Sequence, residues 1–131
     1  MFRQLTDTIF VSPQISVDDV IRAKKLGVTC IVNNRPDDEE PGQINGAEIE
    51  AAARAASVDY SAVPVSHGGF APWQLDGMDG AIEQATGGKL LEYCRSGTRS
   101  TLLWALARAR AGDHPDRLAE IAAAAGYDLS P

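Results

Sequence analysis

Residues 89–108, KLLEYCRSGTRSTLLWALAR, constrain the fold more than any other stretch of this chain. The apolar run from Leu90-Leu91 to Tyr93 predicts a buried strand. A nearly all-apolar helix follows, carrying Leu102, Leu103, Trp104 and Leu106. Cys94-Arg95-Ser96-Gly97-Thr98-Arg99 and then Ser100 lie between the two. A strand that turns tightly into a helix places this loop at a helix N-terminus. Unpaired backbone N–H groups and the positive dipole end gather there.

Each residue of the loop has a chemical reading. Successive N–H groups in a tight turn form an anion-holding nest. A thiol among them, beside Arg95 and Arg99, is expected to ionise readily and act as a thiolate nucleophile. Gly97 lets the backbone turn where a Cβ would clash. Ser96, Thr98 and Ser100 supply hydroxyl donors. Arg99 offers a planar fork that grips an oxyanion at two points. Cys94 and Arg99 are therefore the predicted catalytic pair, and Arg95, Ser96, Gly97, Thr98 and Ser100 the predicted anion-binding set.

The remaining chain predicts strands alternating with helices. Phe2 to Val11 reads as two short strands or a hairpin, with Ser12-Pro13 ending it. Ser16 and Asp19 form a short capping box for a helix whose apolar face is Val17, Val20 and Ile21, and Gly27 stops it. Val28–Asn33 is a β-rich run and a central strand, in which Cys30 is a small core residue. Asn45 caps a helix over 46–56. Tyr60–Val65 is a third strand, and 66–73 a glycine-containing loop with the character of a lid. Pro72 to Ala85 reads as helix. Asp113 with Pro115 starts a last helix running through Ala125.

Such alternation implies an α/β architecture: a mostly parallel sheet with helices on both faces, in a single domain over 1–131. Loops leaving the carboxyl ends of parallel strands line the ligand crevice of such sheets. Arg35 and Asp37, just after the Val28–Asn33 strand, are thus expected at the rim of the Cys94 site, with His67 from the 66–73 loop. Asp38, Glu39 and Glu40 read as a solvated acidic run.

Composition narrows the class of function. The formal net charge of −6 argues against nonspecific nucleic-acid binding. No apolar run reaches the roughly 18 residues that a membrane span needs. MFRQLTDTIFVSPQ lacks the pattern of a signal peptide. The two cysteines form no disulfide framework, and a reduced cytoplasmic protein is the expectation. Two His and two Cys lie too scattered for a metal site, and no cofactor motif is present.

The loop CRSGTRS resembles the active-site loops of cysteine-dependent phosphatases and of rhodanese-type sulfurtransferases. Phosphatase loops hold five residues between Cys and Arg; here there are four, Arg95 to Thr98, as in rhodaneses. With Asn33-Asn34-Arg35-Pro36-Asp37 and Glu39-Glu40-Pro41-Gly42-Gln43, the chain is similar over nearly its whole length to the phosphatase-like domain of the beta-lactamase hydrolase-like family. That resemblance implies a cysteine-phosphatase-like three-layer fold with the Cys loop at the base of a crevice. It also implies a metallo-β-lactamase-like persulfide dioxygenase as partner, because the domain occurs fused to such enzymes.

Two reactions fit one nucleophile. In sulfur transfer, Cys94 attacks the outer sulfur of thiosulfate or a persulfide, and a Cys94 persulfide passes sulfur to a thiol. In phosphoester hydrolysis, Cys94 attacks phosphorus and a thiophosphate is hydrolysed. Sulfite leaves without a proton, whereas an alkoxide gains about 10²–10⁴ in rate from a general acid. The 66–73 loop contains no Asp, and Tyr93 stands where phosphatases carry His before the Cys. The short loop also has fewer N–H groups to ring a phosphate. On the sequence, sulfurtransferase therefore ranks first and phosphatase second. A noncatalytic anion- or protein-binding module with a redox-sensitive Cys94 ranks third. The expected ligand is a small sulfur- or phosphorus-containing anion.

Overall fold

The structure is a computed structural model and describes residues 1–66 and 68–129. Five strands form one sheet in the order β1-β2-β5-β3-β4. They are β1 (Arg3–Gln4), β2 (Ile9–Ser12), β3 (Val28–Asn33), β4 (Asp59–Ala62) and β5 (Lys89–Tyr93). β1 and β2 make an antiparallel hairpin, and every other pairing is parallel. The helices are α1 (Val17–Lys25), α2 (Gly46–Ala55), α3 (Pro72–Gln84), α4 (Thr98–Arg110) and α5 (Pro115–Ala124). This is the expected α/β architecture.

β5 is the middle strand, and its Leu90, Leu91 and Tyr93 suit the burial on both faces that a central parallel strand requires. Leu91 pairs with Phe10 on β2 and Ile31 on β3, and Tyr93 pairs with Ser12 and Asn33. Side chains alternate across the sheet. Leu91, Tyr93, Phe10 and Ile31 pack beneath α1 and α2 with Val20, Ala23, Ile49 and Ala53. Leu90, Val11 and Val32 pack on the opposite face, with Met78 of α3, Leu103 and Trp104 of α4 and Leu118 of α5. Full burial of each large apolar side chain contributes about 1.5–3 kcal/mol, so the two layers hold the middle strand from both sides.

Several local expectations need correction. Val17 and Ile21 are exposed, and α1 buries only Val20 and Ala23. A nine-residue helix lying on a sheet touches it along a narrow stripe, and Ile15 before the cap is buried in the same layer as Val20 and Ala23. The capping box itself is present: Ser16 Oγ accepts from Asp19 N–H, and Asp19 accepts from Ser16 N–H. β4 ends at Ala62 rather than Val65. Pro64 has no N–H to donate, although Val63 and Val65 still donate to the carbonyls of Asn33 and Asn34. The last helix is capped by His114, whose Nδ1 accepts from Asp116 N–H at 3.2 Å, while Asp113 pairs with Arg108.

No helix among the described residues is long and apolar enough to cross a membrane.

Candidate functional site

The loop between β5 and α4 sits at the carboxyl edge of the sheet, tied to the strands on either side. Cys94 N–H donates to the Ser12 carbonyl, and Gln14 N–H donates to the Arg95 carbonyl, both at 3.3 Å. On the other flank, Asn34 N–H donates to the Tyr93 carbonyl at 2.8 Å. The loop therefore begins at a fixed point between β2 and β3.

Within the loop, Gly97 caps α4 at φ 94°, a left-handed conformation that favours glycine. Its N–H donates to Cys94 Sγ at 3.1 Å. A Cβ at Gly97 would also collide with the Tyr127 hydroxyl, which donates to the Ser96 carbonyl at 3.3 Å. Tyr127 thus closes the back of the loop. Ser96 Oγ donates to Thr98 Oγ1 and accepts from Thr98 N–H. Thr101 Oγ1 bonds the Gly97 carbonyl at 2.8 Å. Ser100 donates to Asn34 Oδ1 at 2.8 Å, and Asn34 Nδ2 donates to the Val63 carbonyl. Ser100 therefore braces α4 against the β3 loop.

Arg99 is the most constrained side chain of the set. Its Nη1 and Nη2 donate to the two carboxylate oxygens of Glu39 at 2.7 and 2.8 Å, and Nη1 also donates to the Val65 carbonyl at 2.6 Å. A forked pair of this kind fixes the guanidinium plane as well as its position. The Glu39 bond holds Arg99 above its ordinary pKa, and the nearby Cys94 sulfur adds to the effect. Nε–H and the second Nη2–H form the other edge of the guanidinium. They carry no hydrogen bond to oxygen among the described residues, which leaves a second two-pronged face for an anion.

Glu39 was expected in a solvated acidic run, and the structure overturns that. Arg35 Nε reaches Glu39 at 2.9 Å and Arg35 Nη2 reaches Glu40 at 2.8 Å. Glu39 N–H donates to Gln43 Oε1, and Gln43 Nε2 donates to the Pro36 carbonyl, so the 36–43 loop is folded on itself. Arg99 holds the Glu39 carboxyl down at about 2, with a further contribution from Arg35.

Arg35 and Asp37 were expected at the rim, and neither lies there with a free side chain. Arg35 is buried, held by Glu39, Glu40 and Gln14. Asp37 Oδ1 accepts from Gly46 N–H at 2.8 Å and so caps α2. Both follow the strand as predicted; Arg35 is turned inward into its own loop, whereas Asp37 stays exposed with one oxygen on the Gly46 N–H. His67 lies outside the described residues. Arg95 is exposed, 3.5 Å from Glu40.

Glu39, Arg95, Ser96, Thr98 and Arg99 line an open depression of about 700 Å³. An apolar groove of about 610 Å³ between α4 and α5 contains none of residues 94–99. Cys94 is wholly buried at the base of the loop. Cys30 is buried too, and desolvation, with a smaller push from Asp59, raises its thiol to about 11, which suits an inert core residue. Among the described residues no cluster of three or more His, Cys, Asp or Glu side chains could hold a metal ion.

Two residues beside the loop escaped sequence reasoning. Glu39 lies sixty positions from Arg99, and no local pattern pairs them. Glu92 is a charged residue inside an otherwise apolar strand, a signal that was visible in KLLEY and passed over.

Known proteins resemble this chain in sequence and in fold. A Xylella fastidiosa (strain Temecula1 / ATCC 700964) beta-lactamase hydrolase-like protein is 33% identical over 126 residues, covering 95% of this chain. The chain spans only 29% of that relative's length. A crystal structure from Neisseria meningitidis Z2491, described as a candidate phosphatase, superposes with a TM-score of 0.83 at 32% identity, covering 98% of this chain and 90% of that one. Tk-PTP in its active form shares the fold at a TM-score of 0.76 and 17% identity, covering 98% and 88%. The family profile described as "Beta-lactamase hydrolase-like protein, phosphatase-like domain" matches residues 1–111, and the chain belongs to that family.

Proposed function

We propose that this domain hydrolyses a phosphomonoester through a Cys94 thiophosphate. The observation that carries the reading is the convergence of three groups at one loop. They are the Cys94 sulfur, the Gly97 N–H directed at it, and an Arg99 guanidinium fixed by Glu39 with one edge left for an anion. In this reading the thiolate attacks phosphorus, the S–P bond forms and the ester oxygen leaves with its electron pair. Loop N–H groups and Arg99 hold the charge that grows on the phosphoryl oxygens. Water then attacks phosphorus and returns the sulfur. Ser96, Thr98 and Arg95 stand at the mouth, where the rest of the substrate would lie.

Family membership and a phosphatase-like structural neighbour support hydrolysis over sulfur transfer, reversing the order suggested by loop spacing. Sulfur transfer is the second reading because only four residues separate Cys94 from Arg99 and because the 66–73 loop has no Asp to protonate a leaving oxygen. The metallo-β-lactamase-like persulfide dioxygenase expected as partner is tested by copurification with such a protein.

Steady-state turnover separates the reactions. The expected result is release of p-nitrophenol from p-nitrophenyl phosphate, abolished in Cys94→Ser. Thiocyanate formation from thiosulfate and cyanide, with no phosphatase turnover, would replace this reading with the second. If neither substrate turns over while an anionic partner still binds the Cys94→Ser protein, the domain is a binding module.

A further inference from the structure

Glu92 stands in β5 with none of its surface exposed, and neither carboxyl oxygen has a hydrogen-bond partner among the described residues. Its register neighbours are Val11 on β2 and Val32 on β3. Those two valines belong to the layer filled by Met78, Leu103 and Trp104. An ionised carboxylate there would have neither water nor a counter-ion, which is among the costliest arrangements a protein can hold. Burial accordingly pushes the Glu92 carboxyl well above its ordinary range, and the Cys94 sulfur adds to the effect. A hydrocarbon of similar volume would suit the position better, so packing offers no reason for an acid.

Position along the strand offers one. Cys94 directly follows β5, and its N–H still donates to the Ser12 carbonyl of β2, so continuing the strand's period of two brings residues 92 and 94 to one side, about 6–7 Å apart along the chain. The other titratable groups on elements around Glu92 are engaged elsewhere. β2 has none. Cys30 on β3 is a buried thiol under the influence of Asp59. Arg99 at the start of α4 is bound to Glu39. Asp76 and Asp79 of α3 bond Arg110 of α4 at the surface, Glu83 of α3 is exposed to solvent, and Arg108 bonds Asp113. α5 carries its charged residues on the exposed side. The Tyr127 phenol is pushed up by burial and senses Arg3 and Cys94. Among all of these, Cys94 is the charge that acts on Glu92.

We infer that Glu92 and Cys94 form a one-charge pair: the buried carboxyl stays protonated, and an anionic sulfur at Cys94 suppresses its ionisation. The thiol proton goes to solvent, and the loop then presents one negative charge rather than two to an arriving anion. Glu92 is thus a positioning residue acting through Cys94. Its value to catalysis rests on the proposed function, but the pair itself can be tested without turnover.

The test follows the infrared carbonyl band of a protonated carboxyl across pH in the whole protein. Glu92→Gln assigns the band by removing it, and Glu92→Met serves the same purpose if the first variant fails to fold. The titration is then repeated with the sulfur made neutral in two ways, by iodoacetamide capping of Cys94 and by Cys94→Ser. Peptide mass spectrometry confirms that Cys30 is unmodified. The expected result is a Glu92 band at neutral pH that disappears at lower pH in both sulfur-neutral proteins than in the unmodified one, as coupled titrations require. An absent band at neutral pH, or a titration unmoved by either change at Cys94, overturns the pair. Lack of phosphatase turnover would fail the proposed function while leaving this shift readable.

Discussion

Arg99 shows how much one side chain depends on another far away in sequence. Its two bonds to Glu39 fix the plane of the guanidinium before any substrate arrives. Lysine offers a single point of charge on a flexible stem, so Arg99→Lys should keep the fold and lose most of the activity. Loss of one oxyanion donor typically lowers kcat by about 10²–10³, and p-nitrophenyl phosphate turnover by this variant should fall by at least that. Near-native turnover would mean that Arg99 only braces the loop. Glu39 brings a pH signature. Its carboxyl titrates at about 2 in the folded protein, below the ordinary carboxylate range, because Arg99 and Arg35 favour its charged form. The unfolded chain therefore takes up a proton at Glu39 at higher pH than the folded one does. The stabilisation is fully present above roughly pH 4.5 and is lost as pH falls towards 2. Urea titrations from pH 6 to pH 2 should show a shallower loss of stability in Glu39→Gln than in the native protein, and parallel curves would refute this. The pairing was illegible in the sequence because ion pairs between distant loops leave no local period or motif.

At the scale of elements, β5 and the loop after it were readable because their signals agree. A short apolar run, a left-handed glycine and an apolar helix can connect in few other ways. The neighbouring β3 loop was readable in position but not in direction. Its preceding strand, β3, was plain, whereas the placing of Arg35 depends on Glu39, Glu40 and Gln14, and that of Asp37 on the Gly46 N–H. Asp37 now reads as a cap of α2, beside Asn45, whose Oδ1 accepts from Ala47 N–H. Asp37→Ala should therefore lower stability by about 1 kcal/mol, in the range of a lost cap, and leave kcat/KM for p-nitrophenyl phosphate within a few-fold of native. A fall of about 10²–10⁴ with stability unchanged would assign Asp37 the general-acid role instead. Of the expected apolar face of α1 only Val20 is buried, for a related reason. A helical period identifies candidates for burial, but the tilt of a short helix on its sheet decides which of them reach it.

The whole molecule is a scaffold that brings three chain ends of the sheet to one edge. β2 supplies Ser12 and Gln14, β3 supplies Asn34 and the 36–43 loop, and β5 supplies Cys94. The parallel order β2-β5-β3 makes this convergence unavoidable, since all three strands point the same way. Architecture and the identity of the loop were thus legible from alternation and motif. The order of the two reactions was not, because spacing within the loop and the character of the surrounding domain point in opposite directions. The sulfur of Cys94 decides between them. Rapid acid quench during turnover, followed by peptide mass spectrometry, should find a phosphoryl group on Cys94 when p-nitrophenyl phosphate is the substrate. The contrary result is an unmodified Cys94 under those conditions together with an added sulfur atom after exposure to a persulfide donor.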